Sequence, residues 1–102
     1  MTEHFIVEAD APCVQGHFPG MPVVPGAWLL GKVHAVLLAR YPNWRVEALK
    51  KVKFLLPLLP EQSAQINIDD NRWPRVQVSV QRLDEAGEMM QILDASFVLV
   101  PA

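Results

Sequence analysis

The sequence predicts an α+β domain: one long helix laid against an antiparallel sheet of five to six strands. Three observations lead there. The stretch 26–40 is apolar over most of its length and contains no proline. Nearly everything after residue 44 alternates apolar and polar residues with a period of two. Prolines, glycines and acidic residues separate those runs, as turns require. At 102 residues, 51% hydrophobic and 20% charged, the chain reads as a single domain over 1–102 with a modest core.

Taken in order, "EHFIVEA" (3–9) is β-prone and predicts an opening strand. A Pro/Gly-rich loop follows from Ala11 to about Pro25. Pro25-Gly26 then opens the helix, and Tyr41-Pro42-Asn43 stops it, because the residue before a proline disfavours α geometry. Ala27, Trp28, Leu29, Leu30, Val33, Val36, Leu37 and Leu38 cover most of its circumference, so protein should wrap it on most sides. In "RVEALKKVKFLLP" (45–57), Val52, Phe54 and Leu56 alternate with Lys51, Lys53 and Leu55. Ile66 and Ile68 alternate with polar neighbours, as do Val76, Val78 and Val80. "DEAGE" (84–88) marks a turn, and "QILDASFVLV" (91–100) is continuously apolar enough for a central strand. A small sheet with two open edges invites association, and a symmetric dimer is the economical solution.

Several classes of function are excluded. A formal charge of −2 gives no electrostatic footprint for nucleic acid. The lone Cys13 cannot form an internal disulfide, and no cationic cluster beside it would lower its thiol pKa; it reads as a structural cysteine. "MTEHFIVEAD" carries acidic residues where a secretory signal needs basic ones, and a cytoplasmic location is expected. The apolar run 27–39 is interrupted by Lys32 and His34 and falls short of the roughly 20 residues a membrane span needs. His4, His17 and His34 lack the spacing of zinc ligands, so no metal is implied.

The most informative stretch is "GHFPGMPVVPGAWLLG" (16–31). It is either a tight connection in which His17 is incidental, or a rigid holder that fixes an imidazole near a helix N-terminus. The run from Gly16 to Gly26 fits G-H-F-P-x-x-P-V-x-P-G and so resembles the hot-dog-fold 3-hydroxyacyl-(acyl-carrier-protein) dehydratases of fatty-acid synthesis. The likeness extends through "KVKFLLPLLPEQ" (51–62) to the C-terminus. It implies a dimeric hot-dog fold, a thioester substrate on acyl-carrier protein or coenzyme A, and no cofactor. It further implies His17 as general base and the Gly26 backbone N–H as oxyanion donor, since helix amides favour developing negative charge. Pro19, Pro22 and Pro25 restrict the loop that carries the imidazole. Phe18 and Trp28 are candidate substrate-binding residues, with Met21, Val23 and Leu29 flanking the same place.

One departure matters. The family usually supplies a helix Glu or Asp, from the partner subunit, five positions after the Pro-Gly glycine. Here that position is Gly31, and no carboxylate lies between Gly26 and Arg40. A mid-helix glycine costs about 1 kcal/mol relative to alanine, so it signals close packing or room left for substrate, water or a partner. His17 acting alone, His34 one turn beyond Gly31, or a second subunit carrying the acid would each fill the gap. An acyl-thioester-binding protein or a thioesterase is the alternative class. Compact length and the missing carboxylate look most like the short ApeI-like subgroup associated with aryl-polyene and related clusters. Leu55-Leu56 and Glu61-Gln62 replace the family's basic pair and Gly-Asp turn. Arg40, Arg45, Lys50, Lys51 and Lys53 are the available basic cluster for steering an acidic carrier protein.

Overall fold

A computed structural model gives the fold, with residues 2–14 and 23–102 described. Among these residues the chain forms one helix and five strands. They are β1 (Thr2–Ile6), α1 (Gly26–Arg40), β2 (Trp44–Phe54), β3 (Ser63–Arg72), β4 (Arg75–Leu83) and β5 (Met89–Pro101). All pairings are antiparallel and the strand order is β1-β3-β4-β5-β2. The strand expected to be central, 91–100, lies within the sheet between β4 and β2, and β4 is the central one.

The period-two pattern sorts the sheet into two faces. Ile66, Val76, Val78, Val80, Leu93 and Leu99 point into the core and are almost fully buried. Each such side chain contributes roughly 1.5–3 kcal/mol on burial. On the other face amides and hydroxyls bond across strands. Gln65 and Asn67 both donate to Gln81 Oε1 (3.1 and 2.7 Å), and Thr2 Oγ1 donates to Asn67 Oδ1 at 2.8 Å.

Strand boundaries differ from the sequence pattern where the chain is pulled out of the ladder. β1 ends at Ile6 rather than residue 9. The Val7 carbonyl accepts from Glu61 N–H at 2.7 Å, and Ala9 N–H donates to the Glu61 carboxylate at 2.8 Å. β2 ends at Phe54 rather than 57, because Leu55 N–H turns to the Ile92 carbonyl (2.9 Å) and Pro57 has no N–H to offer. The β4–β5 register shifts between Val80 and Gln81, skipping Ile92, so Ile92 and Leu93 are neighbours that are both buried. That bulge is why this strand reads as continuously apolar.

Helix α1 buries Leu29, Val33, Val36 and Leu37 against the sheet. Ala27, Gly31, His34, Ala35 and Leu38 are exposed. Among the described residues the helix is covered on one face, so the wrapping expected on most sides is not found there. Its C-terminus is pinned by aromatic side chains. Tyr41 and Trp44 both pack on Trp73, with ring centroids 4.8 Å apart in each pair. Arg40 Nε donates to the Tyr41 hydroxyl (3.1 Å), which donates to Asp70 Oδ2 (2.9 Å). No helix among the described residues is long and apolar enough to cross a membrane.

Burial lifts the Tyr41 pKa above its ordinary 10.0; the Arg40 hydrogen bond opposes the shift and Asp70 adds to it. Folding thus favours the neutral phenol. Its contribution to stability is intact below pH 10 and drains away as pH rises through the elevated value. Tyr41 is the chain's single tyrosine, so the tyrosinate absorbance band reads this group alone. Its midpoint in the folded protein is expected above 10.0, and Tyr41→Phe should remove that part of the alkaline loss of stability.

Candidate active site

The helix N-terminus is built without a cap. Pro25 occupies the N-cap position with φ −61° and ψ 141°, makes no side-chain cap hydrogen bond, and no acidic residue stands in the first turn. The first intrahelical bond runs from Leu29 N–H to the Pro25 carbonyl at 3.1 Å. The N–H groups of Gly26, Ala27 and Trp28 precede it and have no acceptor within the helix. Amides in this state form a donor cluster at the positive end of the helix dipole.

These amides open beside an apolar cleft of ≈ 480 Å³. Gly26 lines it together with Val24, Leu29, Phe54, Leu56 and Leu58. Two contacts set its shape. Val24 N–H donates to the Leu58 carbonyl at 2.8 Å, which clips the strand-like approach to the helix onto the segment after β2. Phe54 then lies against Gly26 so closely that a Cβ there would sit 2.7 Å from Phe54 Cε1. Glycine is what lets ring and helix start approach each other. Phe54, Leu55 and Leu56 stay 55%, 48% and 37% exposed, apolar surface held open to solvent.

The sequence-derived candidates separate in space. Gly26 is in this cleft. Gly31 and His34 share a second groove of ≈ 300 Å³ with Leu30, Val46, Leu49 and Phe97, between the helix and the β2 side of the sheet. Trp28 packs on Phe5, ring centroids 5.9 Å apart, and is not among the residues lining either cavity. His17 and Phe18 lie outside the described residues. Cys13 is free and half-buried. Among the described residues no group of three or more His, Cys, Asp or Glu side chains is placed to hold a metal.

One further feature decides between two expectations and another is new. A Cβ added at Gly31 would meet nothing within 4 Å. Of close packing and spare room, the single chain therefore has spare room. The other is the wall formed by 54–58. The run Phe54-Leu55-Leu56 breaks the alternation of β2, and consecutive apolar residues cannot all face one core from a strand. That break was the available signal.

A family model described as ApeI-like, ApeI dehydratase, matches residues 1–90. No curated protein matches the chain in sequence. Solved structures match it in fold. The dehydratase heterocomplex ApeI:P from Xenorhabdus doucetiae aligns with a TM-score of 0.80 at 18% identity, over 96% of this chain and 84% of that one. An uncharacterized protein from Erwinia carotovora subsp. atroseptica gives 0.85 at 20% identity, covering 98% and 82%. A hexameric broad-specificity acyl-coenzyme A thioesterase gives 0.75 at 15%, covering 98% and 78%. At such identities the likeness establishes the hot-dog fold and nothing about chemistry.

Because the space beside Gly31 is open, Gly31→Ala should raise the stability of the folded chain by up to about 1 kcal/mol in denaturant melts. A loss of stability instead would mean that a partner surface occupies that space in the assembled protein.

Proposed function

The chain belongs to the ApeI-like dehydratase family, and on that premise we propose that it removes water from a 3-hydroxyacyl thioester to give the trans-2-enoyl thioester. The observation that carries this reading is the uncapped helix start at Gly26, opening into an apolar cleft. An acyl thioester suits such a place: an apolar chain for the wall and a carbonyl oxygen for the amides.

In this reading His17 takes the C2 proton. The freed electron pair moves toward the thioester carbonyl, whose oxygen gains negative charge and is met by the Gly26 N–H. The pair then forms the C2=C3 bond while the C3–O bond breaks, and the departing oxygen takes a proton to leave as water. An acyl chain lying on the apolar wall displaces the water there, and the lower local polarity strengthens the amide–oxyanion interaction. Phe18 is assigned to the acyl chain. Trp28, packed on Phe5, supports the helix's first turn behind the site. No metal or redox cofactor enters these steps.

The proton donor for the leaving oxygen is the open part of the mechanism. His17 can return the proton it took in a syn elimination. The groove that joins Gly31 and His34 is separate from the Gly26 cleft of the same chain, so two other sources would act across a subunit boundary: His34 of a partner copy, or an acid from a different second subunit over the unfilled space at Gly31. A heterocomplex among the structures of the same fold favours the second subunit. The carrier is an acyl-carrier protein or coenzyme A in this scheme, with the exposed Arg45, Lys50, Lys51 and Lys53 as the steering surface. Thioester hydrolysis is the second reading, favoured by a thioesterase of the same fold.

Two assays separate the readings. With a 3-hydroxyacyl thioester, the protein alone or supplemented with a second hot-dog subunit should produce enoyl absorbance, and His17→Ala should lower the rate by at least about a hundredfold. Release of free thiol without enoyl product would replace dehydration by hydrolysis.

Gly26→Ala should lower kcat because a methyl group blocks approach to the amide. Adding Phe54→Ala relieves the crowding against the ring and should not restore kcat. Full restoration would show that Gly26 merely makes room for Phe54.

A further inference from the structure

The outer face of the sheet holds a polar concavity of ≈ 460 Å³ that the proposed elimination does not use. It lies where the β2 bulge meets the β3–β4 turn and β5. Lys51 comes from the bulge between Lys50 and Lys53. Arg72 ends β3, Arg75 begins β4, and Gln77 and Ser96 line the space beside them.

Four features set this place apart from an ordinary solvated surface. Arg72 and Arg75 are direct cross-strand partners, so like charges stand opposite each other, which repels unless something negative lies between them. Among the described residues no ion pair or side-chain hydrogen bond involves either arginine or Lys51. The carboxylate in the lining, Asp69, already accepts from the Asn71 N–H at 2.9 Å. Lys51 has φ 52°, the left-handed region that glycine adopts freely and a lysine seldom does. Ser96, a buried polar residue, donates to Gln77 Oε1 at 2.6 Å and so leaves the Gln77 NH₂ to donate elsewhere.

We propose that this concavity binds a phosphate-bearing anion of small-molecule size. Paired guanidinium groups match the oxygens of a phosphate bidentately, and Lys51 adds a compact point charge. A polyvalent anion suits three cations facing one carboxylate better than a single carboxylate ligand would. The site shares Lys51 with the proposed steering surface but has no residue of the apolar cleft, so it does not rest on what that cleft catalyses, and the failure of one reading leaves the other standing.

The test is an amide NMR titration of the whole chain at constant ionic strength, with pyrophosphate in one arm and adenosine 3′,5′-bisphosphate in the other. Saturable shifts confined to residues 51, 71–77 and 96 are expected with pyrophosphate. Equal affinity in both arms assigns recognition to phosphate alone, and tighter nucleotide binding adds a contact to the base or sugar; both support the site. Arg72→Gln combined with Arg75→Gln should weaken binding about tenfold or more and, without ligand, melt no lower than the parent because the repulsion is gone. Lys51→Gln gives a second variant should that pair fail to fold, and a weaker affinity is expected from it as well. The proposal is overturned by non-saturable shifts spread over surface lysines and arginines, or by undiminished affinity in the variants. It also falls if an acidic carrier protein shifts these residues and pyrophosphate does not.

Discussion

The bond from Val24 N–H to the Leu58 carbonyl joins two segments that would otherwise be separate loops. One leads into the helix and the other leaves β2. Their attachment decides where the first turn of α1 points, and it brings Phe54 onto Gly26. An uncapped helix start beside apolar side chains is a costly arrangement, because helix amides ordinarily find a side chain or water. The fold keeps it by leaving the neighbouring cleft open to solvent rather than closing a core over it. Donor amides and greasy wall are therefore products of the same clip.

At the other end of α1 the Tyr41–Trp73–Trp44 cluster and the Arg40–Tyr41–Asp70 bonds fix the helix to the β3–β4 turn. Held at both ends and packed along Leu29, Val33, Val36 and Leu37, the helix has little freedom to shift over the sheet. Its middle is the contrasting region. Gly31, His34 and Leu38 stay uncovered beside the β2 edge. Rigid ends with an unfilled middle suit a helix whose remaining contacts come from outside the protomer.

Much of this architecture is written locally in the sequence. Pro25-Gly26 and Tyr41-Pro42 bound the helix because proline constrains its neighbours whatever the tertiary context. Ile66, Ile68, Val76, Val78 and Val80 report their strands because each pattern is a property of one segment. The bulges at Lys51 and near Ile92 are not local: they depend on which residue of the partner strand is opposite, and no single-strand pattern carries that. The same holds for the end of β1, which Glu61 sets from across the fold. In the site, Gly26 was legible through the motif around it. The wall at 54–58 was not, since its place is fixed by hydrogen bonds to Val24 and Ile92. Trp28 packs on Phe5 and is not among the residues lining the Gly26 cleft or the Gly31 groove. His17 and Phe18 owe their assignments to the motif alone.

The polar ladder on the back of the sheet bears on how copies of this fold could assemble. Gln65 and Asn67 both bond to Gln81, and Gln77 accepts from Ser96. Covering them with a second layer would strip water from amides while releasing little hydrocarbon, so stacking back to back brings no driving force. Lateral growth meets no such obstacle: among the described residues β1 and β2 are the edge strands, each paired to another strand on one side only. Enlargement of the particle is thereby directed into the plane of the sheet or onto the helical side.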